Sequence, residues 1–398
     1  MAQGVSVAVP ARHYGLDWLR IGAFLLLIFF HIGRFFSPDP WLVRSPAPVP
    51  GVEWAMLAVE PWRLALLFVV SGYASHALLA RCTGTGAFLR ARSYRLLLPF
   101  AFGLLLLVPP QTWIGLRLNH GYHGGLLHFW AVEGLSFHSI DGVALPSSEH
   151  LWFIAYLWTY TMALGAFLLL APASWRCAAR QLGGRIFSSP HLLLLPLPAI
   201  LTIRIVLLFT VPEKHGLLHD WVNDATYVPA FLFGFALAGN SSLWPAILRL
   251  HWPALLTAAS AYAVLAAIEY RYPGERPHMV QALDRDASLI MAWSMILLML
   301  GLAHQWLNRD HPLRARLSEA VFPFYLVHQT IIVVLGFWLR TSSLSNLAMF
   351  AILVAATFVG CWLFYAAGSR VAWLRPFVGL AAAPRRPAPV MRPVPGTT

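Results

Sequence analysis

Long runs of apolar residues alternate along the chain with short segments rich in arginine, proline and glycine. A transmembrane α-helix needs about 20 mostly apolar residues, and about ten runs meet that requirement. The pattern therefore predicts an all-α polytopic integral membrane protein with about ten transmembrane helices. The predicted spans lie roughly at residues 15–36, 54–79, 96–116, 150–171, 191–211, 222–239, 253–270, 288–307, 319–339 and 346–367.

The composition supports a membrane location. Of the 398 residues, 59% are hydrophobic and only 11% are charged, which is well outside the average for soluble domains. The formal net charge of +12 would suggest a nucleic-acid partner in a soluble chain, but here the arginines lie between apolar runs. We therefore expect membrane lipid and anionic small molecules as partners, and no nucleic acid.

The cysteines do not indicate a disulfide framework or a metal site. Cys82, Cys177 and Cys361 lie far apart in the sequence and form no Cys-x-x-Cys pair. The chain also lacks a glycine-rich phosphate-binding loop. No metal ligand is predicted.

The basic residues predict the orientation, because arginines and lysines accumulate in short cytoplasmic loops. One set of connections, together with Arg12, carries about 17 of them, and the opposite set carries about 8. Both termini are therefore expected in the cytoplasm. The predicted organisation is a cytoplasmic segment at 1–14, a ten-helix membrane domain at 15–375 and a disordered tail at 376–398, which is rich in Pro, Ala and Arg.

The first span, LDWLRIGAFLLLIFFHIG, contains three ionisable residues. Such residues are costly inside a membrane, so each is a candidate for function. Eleven positions separate Arg20 from His31, which on an α-helix returns to within roughly 20° of the same face and rises about 16 Å. We expect Arg20 near the cytoplasmic end and His31 about halfway across or somewhat beyond. Alternatively, Arg20 reaches lipid phosphates with Asp17 as its partner, and His31 is an ordinary hydrogen-bonded interior residue.

The second span contains Glu60 and Arg63, an i, i+3 pair on one helix face, and then Ser71 and Gly72 nearer the cytoplasmic end. A missing side chain at Gly72 allows either another backbone or a ligand to come close. The functional interpretation is room for a substrate, and the alternative is plain helix packing.

Arg92 and Arg95 follow the second span on one side of a helical turn. Guanidinium groups suit phosphates, so the pair is a candidate phosphate clamp. The alternative is an ordinary basic flank on the cytoplasmic side of the membrane.

The segment 117–149 is the longest outer connection and could cover a site. The fourth span then begins with Glu149, His150 and Trp152, which form either an interfacial aromatic belt or a site that hydrogen-bonds and stacks a sugar. In the ninth span, Tyr325 and His328 follow a proline. A core hydrogen-bonding role for this second intramembrane histidine is the alternative to a catalytic one.

Together these pieces resemble the membrane-bound acyltransferase-3 family, and within it most closely the glucan-biosynthesis (succinyltransferase) branch. The resemblance rests on the Arg20-x10-His31 spacing, on LALLFVVSGYASHALL, on the Arg-x-x-Arg pair before LLLPFAFG, on HLWFIAYLWTY and on FPFYLVHQTIIVV. It implies a ten-helix enzyme of the bacterial inner membrane that moves an acyl group, commonly acetyl or succinyl, from a coenzyme A thioester to a hydroxyl of an extracytoplasmic carbohydrate such as a glucan. Acyl-CoA is then a co-substrate and no cofactor is bound permanently.

The same resemblance implies site residues. His31 corresponds to the family's catalytic histidine, Arg20 to its motif partner, and Arg92 and Arg95 to the Arg-x-x-Arg pair. Some relatives carry a hydrolase-like domain after the tenth span; the absence of one here implies delivery straight to the acceptor.

The residues suggest a mechanism that leaves several alternatives open. Acyl-CoA would enter from the cytoplasm with its phosphates at the arginines and its thioester arm between the first two spans, beside Ser71 and Gly72. His31 would act as general base on an acceptor hydroxyl, although a covalent acyl-histidine is a second route. Four residues are candidates for orienting His31 or the sugar: Glu60, Glu149, His150 and His328.

The alternative function is a proton-coupled transporter or a glycan or lipid flippase, in which Asp17, Arg20, His31 and His328 would relay protons. Such a transporter would be expected to have discontinuous helices in two matching halves, and the sequence shows no such internal symmetry. No sequence feature favours a ligand-binding receptor.

Overall fold

The structure, a computed structural model, describes residues 12–186, 194, 196–210 and 220–382. Helices dominate it, and the only strands of the described residues, β1 (Ser139–Ile140) and β2 (Val143–Ala144), form one antiparallel pair. The helices are α1 (Tyr14–Phe36), α2 (Val52–Leu57), α3 (Glu60–Leu79), α4 (Thr85–Leu106), α5 (Pro109–Asn119), α6 (Leu126–His128), α7 (Trp152–Leu170), α8 (Ala173–Ile186), α9 (Pro196–Thr210), α10 (Trp221–Gly239), α11 (Leu243–Arg249), α12 (His251–Arg271), α13 (His278–Trp306), α14 (Pro312–Leu339) and α15 (Asn346–Arg370).

The helix lengths confirm an all-α polytopic membrane protein. Among the described residues, seven helices are long and apolar enough to cross a membrane, and up to nine cross if each bent pair counts as one span. The bent pairs are α4 with α5, at 45°, and α10 with α11, at 119°. The count of ten, the orientation and the domain limits stay predictions.

Parts of those predictions lie outside the described residues. The predicted span at 191–211 is described only in part, because residues 191–193, 195 and 211 are not among those described. The same is true of residues 1–11 in the amino-terminal segment and of 383–398 in the predicted tail.

Two glycines bring α3 and α10 into backbone contact. A Cβ built on Gly72 would lie 1.9 Å from the carbonyl oxygen of Phe231, and one built on Gly234 would lie 1.9 Å from that of Val69. The contact is reciprocal, as in helix pairs of membrane proteins that pack through small residues. This pairing fixes α3 against α10 and thereby positions Arg63, which lies on α3.

Helix α1 packs against α3, α13 and α14. Its carboxy-terminal end is buried with α14 and α15 in an apolar cluster that includes Ile32, Phe35, Val333 and Leu353. The chain then folds back over that end, because the Ser45 backbone N–H donates to the Phe35 carbonyl oxygen at 2.7 Å. This packing holds one face of α1 against α14 along its length.

Candidate active site

The centre of the candidate site is a pair of histidines from α1 and α14. His31 lies five residues before α1 ends at Phe36, so it is nearer the carboxy-terminal end of the helix than its midpoint. His328 is fully buried on α14. Its Nε2 atom lies 3.1 Å from Nδ1 of His31, and the two ring centroids are 5.1 Å apart. The structure thus brings together the two intramembrane histidines singled out in the sequence.

The hydrogen bonds of His328 assign the protons of this pair. Its Nδ1 atom lies 2.8 Å from the Tyr325 carbonyl oxygen and 3.2 Å from that of Phe324. Carbonyl oxygens only accept, so Nδ1 of His328 carries the proton and, in the neutral ring, Nε2 accepts. His31 must then donate from Nδ1, which leaves the lone pair of its Nε2 available to a substrate. A histidine with one nitrogen oriented by a partner and the other free is arranged as a general base.

A third histidine comes from the segment between α6 and α7. His150 is buried, with its Nε2 atom 3.1 Å from the Leu326 carbonyl oxygen and its ring centroid 5.2 Å from that of His328. The Tyr325 hydroxyl donates to the His150 carbonyl oxygen at 2.5 Å, which ties this segment to α14. Nδ1 of His150 has no hydrogen-bond partner among the described residues. The outer segment therefore contributes a side chain to the histidine cluster.

Glu149 holds the turn that delivers His150. Its φ of 43° is in the left-handed region, which is uncommon for a residue other than glycine. The carboxylate accepts hydrogen bonds from Ser147 at 2.9 Å and from Thr112 at 3.3 Å, so it is occupied within the protein. Among the described residues, Glu149 forms no hydrogen bond with His31 or His328. It supports the structure beside the site.

Trp41, from the loop after α1, covers His31. The two rings are stacked with centroids 6.1 Å apart and planes 22° apart. The loop is held by Asn119, whose amide donates to the Trp41 carbonyl oxygen at 3.0 Å. Sequence reasoning missed this residue, because one tryptophan in a proline-rich loop carries no signal of the tertiary contact.

The basic end of α1 is more extensive than the sequence suggested. Asp17 makes its shortest ion pair with Arg314 of α14, at 2.7 Å, whereas its distance to Arg20 is 3.8 Å. Arg20 donates to the Ser318 carbonyl oxygen at 3.2 Å and keeps its Nε atom without a partner among the described residues. Asp17 is thus shared between Arg20 and Arg314, and its ion pair with Arg20 is the longer of the two. Arg314 could not be distinguished in the sequence from the other arginines of the cytoplasmic loops.

Arg92 and Arg95 have different surroundings. Arg92 is buried and donates to the Ser75 hydroxyl at 2.8 Å, while Arg95 is exposed. Arg95 nevertheless interacts electrostatically with both Arg92 and Arg20. Guanidinium groups from α1 and α4 thus gather at one end of the molecule, where they could bind an anion. Ser75, which holds Arg92, was also missed.

The space beside Gly72 is not free for a substrate. The backbone of α10 occupies it, as the close approach of Phe231 shows. The expectation that Gly72 makes room for a thioester arm is wrong for that reason, and the packing alternative applies. Ser71 is half-buried, and its carbonyl oxygen accepts a hydrogen bond from the Ser75 hydroxyl at 2.8 Å.

Three further residues predicted from the sequence, Glu60, Arg63 and Trp152, have different surroundings. Arg63 is buried with its guanidinium 3.8 Å from the centroid of the Phe30 ring, and among the described residues it forms no ion pair with Glu60, which is exposed. Trp152 is the first residue of α7 and contacts the Tyr156 and Tyr227 rings at centroid distances of 5.0 and 5.9 Å.

An apolar cavity lies between α1 and α14. Its lining runs from Ile21 to Ile28 on α1 and from Leu317 to His328 on α14, and it includes His328 but neither Arg20 nor His31. This small apolar cavity lies along the helix pair that carries those two residues.

The described residues contain no group of three or more His, Cys, Asp or Glu side chains arranged to hold a metal ion. The neighbouring histidines bond to one another and to backbone carbonyls.

A family model described as an acyltransferase domain matches residues 13–366. This chain belongs to the acyltransferase-3 family. It is similar to the "Glucans biosynthesis protein C" of Salmonella schwarzengrund and of Salmonella typhi, each 25% identical over 348 residues, which are 86% of this chain and 88% of the relative. The corresponding protein of Salmonella paratyphi B is 24% identical over the same share. No solved structure matches the chain.

Family membership makes the chain a membrane acyltransferase. The matched region includes all the helices that build the histidine cluster, and it confirms the resemblance seen in the sequence motifs.

Proposed function

We propose that this protein transfers an acyl group, acetyl or succinyl, from cytoplasmic acyl-CoA to a hydroxyl of a periplasmic or exported carbohydrate, with His31 as general base. The observation that carries the proposal is the hydrogen-bonded pair of His31 and His328, which leaves Nε2 of His31 free to accept a proton. His328 is the positioning residue, because it holds the ring of His31 in one tautomer.

The donor would bind at the basic end of α1. Arg20, Arg92 and Arg95 supply guanidinium groups for the phosphates of coenzyme A, since such groups pair well with phosphate oxygens. The thioester arm would follow the apolar cavity between α1 and α14, whose lining begins at Ile21, the residue after Arg20, and includes His328. This path replaces the one beside Gly72, which the backbone of α10 closes.

The acceptor would arrive from the opposite face. Trp41 stacks on His31 there, His150 presents a nitrogen without a partner among the described residues, and Trp152 is the first residue of α7. Aromatic faces beside hydrogen-bonding groups suit a carbohydrate, and the relatives are named for glucan biosynthesis. Glu149 supports this side through its bonds to Ser147 and Thr112.

The reaction requires one proton transfer in each direction. Nε2 of His31 takes the proton of the acceptor hydroxyl as its oxygen bonds to the thioester carbonyl carbon, and the carbonyl electrons move to oxygen. When the carbonyl re-forms, the carbon–sulfur bond breaks, and the proton passes from His31 to the coenzyme A thiolate. The products are an ester and free coenzyme A. A covalent acyl-His31 intermediate is the alternative route.

Labelled donors test the substrate class. Membranes with and without this protein would be incubated with radiolabelled acetyl-CoA or succinyl-CoA, after which periplasmic glycans would be extracted and analysed by mass spectrometry. We expect label and the corresponding mass increase in the glycan fraction only when the protein is present. Label confined to lipid or protein would contradict a carbohydrate acceptor, and transfer from neither donor would contradict the acyl-CoA proposal.

The transporter alternative has one structural feature in its favour, the two bent helix pairs. Discontinuous helices are frequent in transporters, where the breaks line the substrate site. Here the sharper bend separates α10 from the seven-residue helix α11, and neither α10 nor α11 supplies a residue of the histidine cluster. Passage of an intact glycan without acylation in the same membranes would support this alternative.

A further inference from the structure

Arg63 carries a buried charge without an anion in contact. Its residue surface is only 3% exposed. Among the residues that the structure describes, its Nε and Nη1 atoms have no hydrogen-bond partner and its guanidinium forms no ion pair. Glu60, three residues earlier on α3, interacts with this charge electrostatically, and the Phe30 ring faces the guanidinium at 3.8 Å. A buried charge whose N–H groups lack hydrogen-bond partners is costly, and in a membrane protein such a residue indicates an anionic or polarised ligand.

The position of Arg63 relates it to the reacting groups. The guanidinium of this α3 residue lies 3.8 Å from the centroid of the Phe30 ring, and the Phe30 and His31 rings are 5.7 Å apart. Arg63 is also close enough to interact electrostatically with both His31 and His328. Arg63 therefore lies in the neighbourhood of the histidine pair, with two N–H groups that have no hydrogen-bond partner among the described residues.

We infer that Arg63 binds the negatively charged carbonyl oxygen that forms when the acceptor hydroxyl attacks the acyl thioester. This inference rests on the proposed function. As the new carbon–oxygen bond forms, the carbonyl electron pair moves to oxygen, and the N–H groups of Arg63 donate to that oxygen. When the carbonyl re-forms, the carbon–sulfur bond breaks and the negative charge passes to the sulfur of coenzyme A. Donors that meet the oxyanion in a site without water stabilise the transition state more than the ground state.

The chain offers a matched control. Arg117 is exposed near the outer end of α5, with its guanidinium 5.3 Å from the centroid of the Trp113 ring. Arg117→Gln makes the same change of side chain as Arg63→Gln and removes the same charge. Arg117 itself is exposed and is not part of the histidine cluster.

Kinetics in proteoliposomes with acetyl-CoA, succinyl-CoA and a glucan oligosaccharide test the role. Arg63→Gln is expected to lower kcat by about 100- to 1,000-fold with both donors, as loss of one oxyanion donor does in other enzymes. KM for the donors should change little. Arg63→Lys keeps the charge but loses the planar set of N–H donors of the guanidinium, so it should retain part of the rate. Arg117→Gln should match the wild type.

Thermal unfolding separates catalysis from a structural role. Because Arg63→Gln removes an unpaired buried charge, its Tm should equal or exceed that of the wild type while its kcat falls. A lower Tm with a proportional loss of active protein would overturn the inference in favour of a structural role. A loss restricted to succinyl-CoA would overturn it as well, because Arg63 would then bind the carboxylate of the donor.

The failure of this inference can be distinguished from failure of the proposed function. If Arg63→Gln transfers at the wild-type rate while His31→Gln is inactive, only the role of Arg63 is wrong. If the wild type itself releases no coenzyme A from either donor, both are wrong.

Discussion

Substitution of Gly72 by alanine tests the packing of α3 on α10. The new Cβ atom would lie 1.9 Å from the Phe231 carbonyl oxygen. A favourable carbon–oxygen contact is about 3.3 Å long, so the helix backbones would have to separate by about 1.4 Å. Gly234 makes the reciprocal contact with Val69, so a local side-chain movement cannot relieve the clash. We expect a loss of about 3 kcal/mol, the upper end of the usual cost of overpacking a core.

The assay is thermal unfolding of purified protein in detergent, together with KM for acyl-CoA measured well below the Tm. Gly22→Ala on α1 is the matched control, because a Cβ there would meet no heavy atom within 4 Å. Alanine is also the better helix former, so the Tm of this variant should equal or exceed that of the wild type. If Gly72→Ala unfolds at the wild-type temperature but raises KM for acyl-CoA, then Gly72 borders the donor and our reasoning is wrong.

The other predictions concern single contacts. His328→Asn should lower kcat by about tenfold, since it removes a hydrogen bond of about 1.4 kcal/mol, with KM unchanged; an unchanged kcat would contradict its positioning role. Asp17→Asn should cost about 1 kcal/mol in thermal unfolding, because Arg314 loses its 2.7 Å partner but keeps Asp310 at 2.8 Å, whereas Ala at the exposed Arg12 should cost little. Trp41→Ala should raise KM for the acceptor and not for acyl-CoA in initial-rate measurements. Burial, and then the charge of His304, lower the pKa of His13 to about 4, and nearby Asp17 opposes this. Acidification from pH 6.5 towards pH 4 should therefore favour the unfolded state, which binds the proton first, and His13→Gln should show a smaller fall in Tm.

The sequence located the histidine pair through local signals. His31 and His328 are polar residues inside long apolar runs, and such residues are visible without knowledge of the fold. The spacing from Arg20 to His31 also follows from helix geometry alone. The sequence did not show that the carbonyl oxygens of Phe324 and Tyr325 accept from Nδ1 of His328. These two hydrogen bonds determine which ring nitrogens of His328 and His31 carry a proton.

Other features depend on contacts between distant segments and were missed or misread. Gly72 was read as room for a ligand, but whether a glycine faces a ligand or another backbone is decided by the partner helix, here α10. Trp41 and Arg314 belong to a loop and to a basic flank that resemble others in the chain. Their roles follow only from the packing of α1 against α14 and from the fold-back of the loop after α1.

The most direct measurement of the central claim is the rate of coenzyme A thiol release by purified protein in liposomes, with acyl-CoA on the basic side and a glucan oligosaccharide on the other. General-base catalysis contributes about 100- to 10,000-fold to a rate. His31→Gln should therefore lose at least 100-fold in acceptor-dependent release, whereas Gln at the exposed His123 should match the wild type. A His31→Gln rate within twofold of the wild type would contradict the account.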